Sequence, residues 1–143
     1  MKSIEKDNLI IIYLEPNEHI LTSLEKISQQ YKITTGIILS GIGQIRNPII
    51  GYFKHKGDYL KKTFEGDYEL LLLTGNIIYS HSTYQSHIHV IFGDEEKKTY
   101  GGHLLDGQVS ITNEIALLSS QISLERTYSE ETGLMHLHIP KTT

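Results

Sequence analysis

The chain has 143 residues, enough for one domain and too few for two ordinary ones. It contains no cysteine, which excludes disulfide bonds, thiolate catalysis and cysteine-ligated zinc or iron–sulfur sites. Its net charge of −4 gives no overall attraction to nucleic acid or anionic lipid, and its longest apolar run, residues 9–14, is too short to cross a bilayer. Because the N-terminus also lacks a stretch typical of a signal peptide, we expect one cytoplasmic domain over residues 1–143.

One helix is predicted after Pro16. Asn17 is its expected N-cap, and the apolar residues that follow recur with the 3.6-residue period of a helix with one buried face. These apolar residues are Ile20, Leu21, Leu24, Ile27 and Tyr31.

Short apolar and β-branched runs bounded by turn residues predict strands in most of the remaining chain. Residues 57–58 and residues 93–97 are the expected turns of two hairpins, and Gly75 is expected to mark a bulge. A mostly antiparallel sheet of about six to eight strands with one or two helices is an α+β fold. The predicted strands are residues 9–14, 36–39, 49–56, 59–64, 68–74, 75–79, 86–92, 98–105, 108–112, 114–119, 121–128 and 134–139.

Positive charge is concentrated in residues 46–62, the basic segment, which carries five basic side chains against one acidic side chain. The local charge is therefore +4, and the rest of the chain carries −8. Lysines on an exposed hairpin commonly protect a sheet edge from aggregation, and they are also the candidate contacts to nucleic-acid phosphate. The basic residues are Arg46, Lys54, Lys56, Lys61 and Lys62.

Histidines are the first chemical signal, because the chain has eight of them. His87 and His89 are separated by one residue, and alternate side chains of a strand share a face. Their Cα atoms would lie about 6.5–7 Å apart. Two imidazoles at that separation can converge on one ion with bonds of about 2.0–2.1 Å.

A third histidine, His103, can join this pair across a hairpin. One register places His103 opposite His87, and a shift of two residues places it opposite His89; a slip of one residue would separate the three imidazoles. Gly101 and Gly102 leave room for an ion or ligand near the backbone. Three neutral imidazoles suit zinc, nickel, copper or ferrous iron, so the pattern predicts a divalent metal site. The alternative is that the histidines only form hydrogen bonds within a half-buried sheet.

The other five histidines carry less information. His136 and His138 repeat the His-x-His spacing near the C-terminus, but no third histidine lies near them in sequence. His19, His55 and His81 are expected at the surface.

Four segments together resemble the plant-and-prokaryote-conserved (PPC) domain, from about residue 9 to residue 137. The His-x-His pair followed by Gly-Gly-His-Leu is the most distinctive of the four. Two positions depart from the pattern: Ser129 stands where the family often has Asp, and Tyr68 where Phe is usual. The other matching segments are residues 41–45 (GIGQI), 64–77 (FEGDYELLLLTGNI) and 126–133 (RTYSEETG).

This resemblance implies an α+β fold, a homotrimer and, as in prokaryotic members, a single-domain protein. It also implies that His87, His89 and His103 occupy the positions associated with bound metal in the family. Plant relatives carry an attached Arg-Gly-Arg-Pro hook for the DNA minor groove, and the family is often labelled DNA-binding for that reason. No such hook occurs in this chain.

Two functions remain open at this point. The first is a DNA-associated or regulatory role, in which the basic segment contacts phosphate with little sequence preference. The second is a zinc-dependent enzyme or small-molecule-binding protein that uses the open fourth position of a three-histidine site. Glu69 is the candidate general base or supporting carboxylate, and an ion pair with Arg46 or Arg126 across a subunit contact is its alternative role.

Overall fold

The structure, a computed structural model, describes residues 1–140, so that the last three residues of the predicted domain lie outside it. Within that range a seven-stranded sheet, a two-stranded sheet and one helix confirm the predicted α+β class. The elements are β1 (Lys2–Lys6), β2 (Leu9–Leu14), α1 (Ile20–Gln30), β3 (Thr35–His55), β4 (Asp58–Thr63), β5 (Asp67–Ser80), β6 (Thr83–Gly93), β7 (Thr99–Ser120), β8 (Glu125–Ser129) and β9 (Leu134–His138).

The large sheet is antiparallel and closes on itself. Its strand order is β1-β2-β7-β6-β5-β3-β4, and β3 pairs with β7 as well as with β5. The pairings β7–β6–β5–β3–β7 therefore form a ring. Side chains alternate across each strand, as in β2, where Ile10, Ile12 and Leu14 are fully buried while the residues between them are exposed. The helix packs against β6 and β7.

Strands β3 and β7 are longer than predicted. The predicted strands 36–39 and 49–56 are parts of β3, and those at 98–105, 108–112 and 114–119 are parts of β7. Both strands continue through register shifts, one of which spans Pro48, a residue with no N–H to donate to the ladder. At Gly43 (φ +141°) a Cβ atom would lie 2.0 Å from the carbonyl oxygen of Thr112, so only glycine permits this close approach of β3 to β7.

Two other strand predictions are corrected at the ends of the chain. The first strand, β1, was not predicted because its alternating charged residues hide the apolar pattern; it pairs with β2 through a turn at Asp7 and Asn8, both with positive φ. The strand predicted at residues 121–128 is confined to Glu125–Ser129, which pairs with β9 in the separate two-stranded sheet.

The helix is confirmed, but its predicted N-cap is wrong. Asn17 has a left-handed backbone (φ 70°) and its N–H donates to the carbonyl of Val109, so the helix begins only at Ile20, with His19 as the N-cap residue. The buried face of the helix includes Ser23, whose hydroxyl-bearing side chain lies beside the predicted apolar residues. Within residues 1–140, no helix combines the length and the apolar character needed to cross a membrane.

Candidate metal centre

The hairpin of β6 and β7 brings three imidazoles to one face of the sheet. His89 pairs with His103 across the hairpin, which is one of the two even registers expected from the sequence. His87 shares the face of His89, while Ile88 between them is buried on the opposite side. The period of two in a strand therefore places all three imidazoles together.

The three side chains are close enough to share one ion. One ligand nitrogen from each ring lies within 4.8 Å of the other two. The Nε2 atoms of His87 and His89 are 3.2 Å apart. Two ligands of a tetrahedral zinc ion with bonds of about 2.0–2.1 Å are separated by about 3.3 Å. The pair is thus already at coordination distance, and a ligand nitrogen of His103 lies within 4.8 Å of both.

Strand β5 lies beside the His-x-His pair in the sheet and is hydrogen-bonded to β6. Thr74 lies opposite His89, Gly75 opposite Ile88 and Asn76 opposite His87. The predicted bulge at Gly75 is wrong, since the register shift between β5 and β6 falls between residues 70 and 72. Gly75 instead has φ +147°, and a Cβ atom there would lie 2.0 Å from the carbonyl oxygen of His87. Glycine is therefore required for β5 to lie this close to β6 beside the histidines.

The environment keeps two of the imidazoles neutral. Burial lowers the pKa of His103 to about 4, and the neighbouring His87, His89 and Arg126 act in the same direction. Loss of water also lowers the pKa of His87, with smaller contributions from the charge of Arg126 and from His89. Neutral imidazoles have a lone pair available, so these two side chains are ready to bind a metal at neutral pH without losing a proton first.

The histidines open into a cavity of about 630 Å³, the histidine cleft. Its walls come from the hairpin of β3 and β4, from β6 and β7, and from the small β8–β9 sheet. No Asp or Glu lines the cleft within residues 1–140. The lining residues other than the three histidines are Gly51, Tyr52, Phe53, Tyr59, Gln85, Ser86, Gly102, Arg126, Leu134 and Met135.

Arg126 is the only Arg, Lys, Asp or Glu that lines the cleft within residues 1–140, and the sequence did not identify it as a cleft residue. It is 6% exposed, and its Nη2 donates to Asn76 Oδ1 at 2.6 Å. Its Nε has no hydrogen-bond partner among the described residues. The sequence analysis named Arg126 only as a possible partner for Glu69. The signal that could have identified it is its position as the first residue of segment 126–133, one of the four segments that resemble the PPC domain.

Glu69 is not brought to the histidines. Its side chain is exposed on β5, its carboxylate accepts a hydrogen bond from Gln44 Nε2 at 3.3 Å, and its backbone lies opposite Gly93 at the far end of β6. Arg46 and Arg126 form other contacts within the described residues. A supporting carboxylate for the metal site is therefore not supplied by Glu69 in this arrangement.

The second His-x-His pair stays apart from the cleft. His136 and His138 are exposed on β9, and the Nε2 of His136 lies 2.8 Å from the hydroxyl of Thr132. His19, His55 and His81 are exposed, as predicted. Only the cluster at residues 87, 89 and 103 groups three metal-ligating side chains within residues 1–140.

The basic segment forms the end of β3 and most of β4. Three of its five basic side chains already form ion pairs with carboxylates. Lys62 lies 4.5 Å from the centre of the Phe64 ring, while Lys61 forms no ion pair within residues 1–140. The ion pairs are Arg46 with Asp67 at 2.7 Å, Lys54 with Asp58 at 3.6 Å and Lys56 with Glu130 at 3.5 Å.

Several solved structures share this fold over almost the whole chain. A candidate DNA-binding protein from Bacteroides thetaiotaomicron is 26% identical with a TM-score of 0.91, and 96% of each chain is covered. The plant- and prokaryote-conserved protein of Pyrococcus horikoshii is 30% identical with a TM-score of 0.84, covering 99% of this chain and 96% of that one. A protein of Archaeoglobus fulgidus described as metal-containing is 30% identical with a TM-score of 0.82, covering 96% of this chain and 99% of that one.

Two curated relatives from Synechococcus strains, each named bifunctional protein GlmU, are 28% identical to this chain. The match to the first covers 132 residues, which is 90% of this chain and 20% of the relative. This chain therefore spans about one-fifth of the length of these proteins.

Residues 1–121 match the Plants and Prokaryotes Conserved (PCC) domain, which is the family that the sequence resembles under the name PPC. The match includes the first three of the four motif segments and all three clustered histidines. Together with the shared fold, it establishes that this chain belongs to the PCC (PPC) domain family.

Proposed function

We propose that this chain binds one divalent transition metal, zinc in the simplest case, through His87, His89 and His103, and that the metal and the adjoining cleft bind a small molecule. The observation that carries the proposal is the approach of three ligand nitrogens to within 4.8 Å of one another. The depressed pKa of His103 supports it, because a neutral imidazole is the form that binds metal. The metal-containing relative from Archaeoglobus fulgidus supports it as well.

Three histidine ligands leave a fourth tetrahedral position for water or for a ligand atom. A bound metal there would supply Lewis acidity and a lowered pKa for its water. The chain's own residues then provide the walls: Tyr52, Phe53 and Met135 present apolar surface, while Gln85 shares the strand face of His87 and His89 and presents a polar amide. This composition, apolar walls with a few convergent polar groups, is typical of small-molecule sites.

Metal analysis of three purified proteins tests the proposal. We expect near-stoichiometric metal in the wild type and very little in His89→Ala, because two imidazoles hold a transition metal far more weakly than three. His138→Ala is the matched control, since it also removes an exposed histidine from a His-x-His pair and should retain the metal. Equal metal content in His89→Ala and the wild type, or no metal in the wild type, would contradict the proposal.

A homotrimer is part of the same proposal. The outer face of the large sheet carries a row of apolar side chains across three adjacent strands, with Leu118 paired to both Leu9 and Ile37. These three side chains are 39%, 38% and 39% exposed, respectively. Burial of such a row against copies of the same chain would remove apolar surface from water. Light scattering should report three subunits for the wild type and a smaller species for Leu118→Asp; a monomeric wild type at micromolar concentration would contradict the trimer.

Weak DNA association through the basic segment is a second candidate function. The candidate DNA-binding relative from Bacteroides thetaiotaomicron favours it, and so do the two lysines of the segment that no carboxylate pairs with in residues 1–140. A trimer would present three copies of these lysines. Lysine acts on phosphate as a point charge and reads no base edge, so this binding would show little sequence preference.

A further inference from the structure

The histidine cleft contains a buried cation that no acidic side chain balances within residues 1–140. Arg126 is 6% exposed, and the hydrogen bond from its Nη2 goes to the neutral amide oxygen of Asn76. No ion pair within 4.0 Å involves Arg126 among the described residues, and its Nε has no hydrogen-bond partner there. A buried guanidinium is costly unless an anion or several acceptors compensate it.

The rest of the histidine cleft supplies no negative charge to balance Arg126 within residues 1–140. The cleft is lined by no carboxylate in the described part of the chain. A divalent metal on the three imidazoles would add two further positive charges. The cleft would then carry Arg126 and the metal with no carboxylate of residues 1–140 lining it, so its field attracts anions.

Arg126 is also held in place beside the His-x-His pair by a hydrogen bond. Asn76, which accepts its hydrogen bond, lies directly opposite His87 in the pairing of β5 with β6. The guanidinium is therefore fixed next to the His-x-His pair by the same strand that supports it. A planar guanidinium with unused donors matches the two oxygens of a carboxylate or phosphate group.

We infer that the histidine cleft binds a small organic anion, whose carboxylate or phosphate group is held by Arg126 while its apolar part lies against Tyr52, Phe53 and Met135. This inference deepens the proposed function, on which it rests for the charge of the metal. Arg126 itself is present with or without metal, so the two ideas can fail separately.

Titration calorimetry with three ring compounds tests the inference on zinc-loaded and on metal-free protein. Benzoate is the carboxylate probe, phenyl phosphate the phosphate probe, and benzamide a neutral compound of the same shape as benzoate. We expect at least one anion to bind the wild type more than about tenfold more tightly than benzamide, a difference of about 1.4 kcal/mol. The stronger of the two anionic probes identifies which group the cleft prefers.

Variants assign the effect to Arg126. Arg126→Gln should weaken anion binding by about tenfold or more, and Asn76→Ala should weaken it less, since it removes only the acceptor that fixes the guanidinium. Arg46→Gln is the matched control, because Arg46 lies outside the cleft in an ion pair with Asp67. Zinc content and circular dichroism verify that each variant is folded, and Arg126→Lys replaces Arg126→Gln if the latter is not.

Each outcome decides one of the two ideas. Anion binding that is equal in the wild type and the Arg126 variant, or no preference for benzoate and phenyl phosphate over benzamide, overturns the inference even if zinc binds. A wild type that takes up no zinc overturns the proposed metal function, whereas Arg126-dependent anion binding to that metal-free protein still supports the inference.

Discussion

The histidine cleft and the basic segment are both rich in ionisable side chains, but their charges are arranged in opposite ways. In the basic segment, three of five cations lie next to carboxylates of the same chain. In the cleft, three imidazoles and the buried Arg126 converge on a cavity that no acidic side chain lines within residues 1–140. The segment is largely neutralised by its own chain, whereas the cleft has ligand atoms and charge left for something else.

This difference shows that the net charge of a segment does not tell which of its cations are free of carboxylate partners. A count of +4 in residues 46–62 does not show that Arg46, Lys54 and Lys56 are already paired. Exposed pairs of this kind contribute little to stability, but each carboxylate lowers the attraction of its cation for phosphate. Uncompensated groups around a cavity are the more informative feature.

The largest expected difference between the two regions is the loss of stability and of zinc affinity when one glycine in each is replaced by alanine. In Gly75→Ala the new Cβ atom would lie 2.0 Å from the carbonyl of His87, so the backbone of β6 must move. We expect the free energy of unfolding to fall by more than about 2 kcal/mol and zinc binding to weaken, because His87 and His89 shift together. Urea unfolding in the presence of a chelator and competition titration with zinc measure the two effects.

Gly57→Ala, in the turn of the basic segment, is the control for this change. Gly57 also has positive φ (+84°), but no atom lies within 4 Å of the position that a Cβ atom would occupy there. Its replacement should therefore cost only about 1 kcal/mol, the penalty of a left-handed backbone, and leave zinc binding unchanged. Similar losses in both variants would contradict the role assigned to Gly75 and the comparison between the two regions.

The shared face of the histidines could be predicted because it depends on the period of two and on register parity alone. His87, His89 and His103 meet in either even register, and the observed pairing of His89 with His103 is one of them. Arg126 could not be predicted in the same way. It is 50 residues from Asn76, the residue that holds it, and only the fold of β8 back onto β5 brings them together.

The lengths of β3 and β7 were harder to predict for a different reason. Glycines and Pro48 usually end a strand, and here they mark bends through which the strand continues with a shifted register. The first strand was hidden by its charges, and the start of the helix depended on a contact between Asn17 and Val109 that is not local in sequence. Local patterns predicted the class of fold, and long-range backbone pairing determined the limits of its elements.

The stability of the metal-free protein should depend on pH through His103. Its pKa is about 4 in the folded protein against an ordinary value of 6.5, so the unfolded chain binds the proton more readily between these values. The stabilisation that neutral His103 gives to the folded protein is therefore present above pH 6.5 and is lost as the pH falls toward 4. Wild-type protein with a chelator should lose more of its free energy of unfolding over this interval than His103→Asn does.

Urea unfolding at several pH values measures this difference. His55→Asn is the control from the basic segment, because it removes an exposed histidine that lies outside the histidine cleft. If the free energy of unfolding falls with pH equally in the wild type and in His103→Asn, protonation of His103 does not destabilise the folded protein. The histidines of the cleft would then titrate as solvent-exposed groups do, which would contradict this prediction.

The smallest expected effect is the loss of DNA affinity when the lysines of the basic segment are reversed in charge. At physiological salt we expect the wild type to bind duplex DNA barely detectably, with a preference among sequences below about tenfold, because few cations are available and none reads a base edge. Charge reversal by Lys54→Glu, Lys56→Glu, Lys61→Glu and Lys62→Glu together should abolish this binding and leave zinc content intact.

A matched variant with the same charge change elsewhere carries Lys2→Glu, Lys6→Glu, Lys26→Glu and Lys32→Glu. Gel shifts at two salt concentrations separate the cases: if only the first variant loses binding, the segment is the contact; if both lose it equally, net charge alone accounts for the affinity. Tight binding by the wild type that resists salt would contradict the view that the segment is neutralised by its own carboxylates.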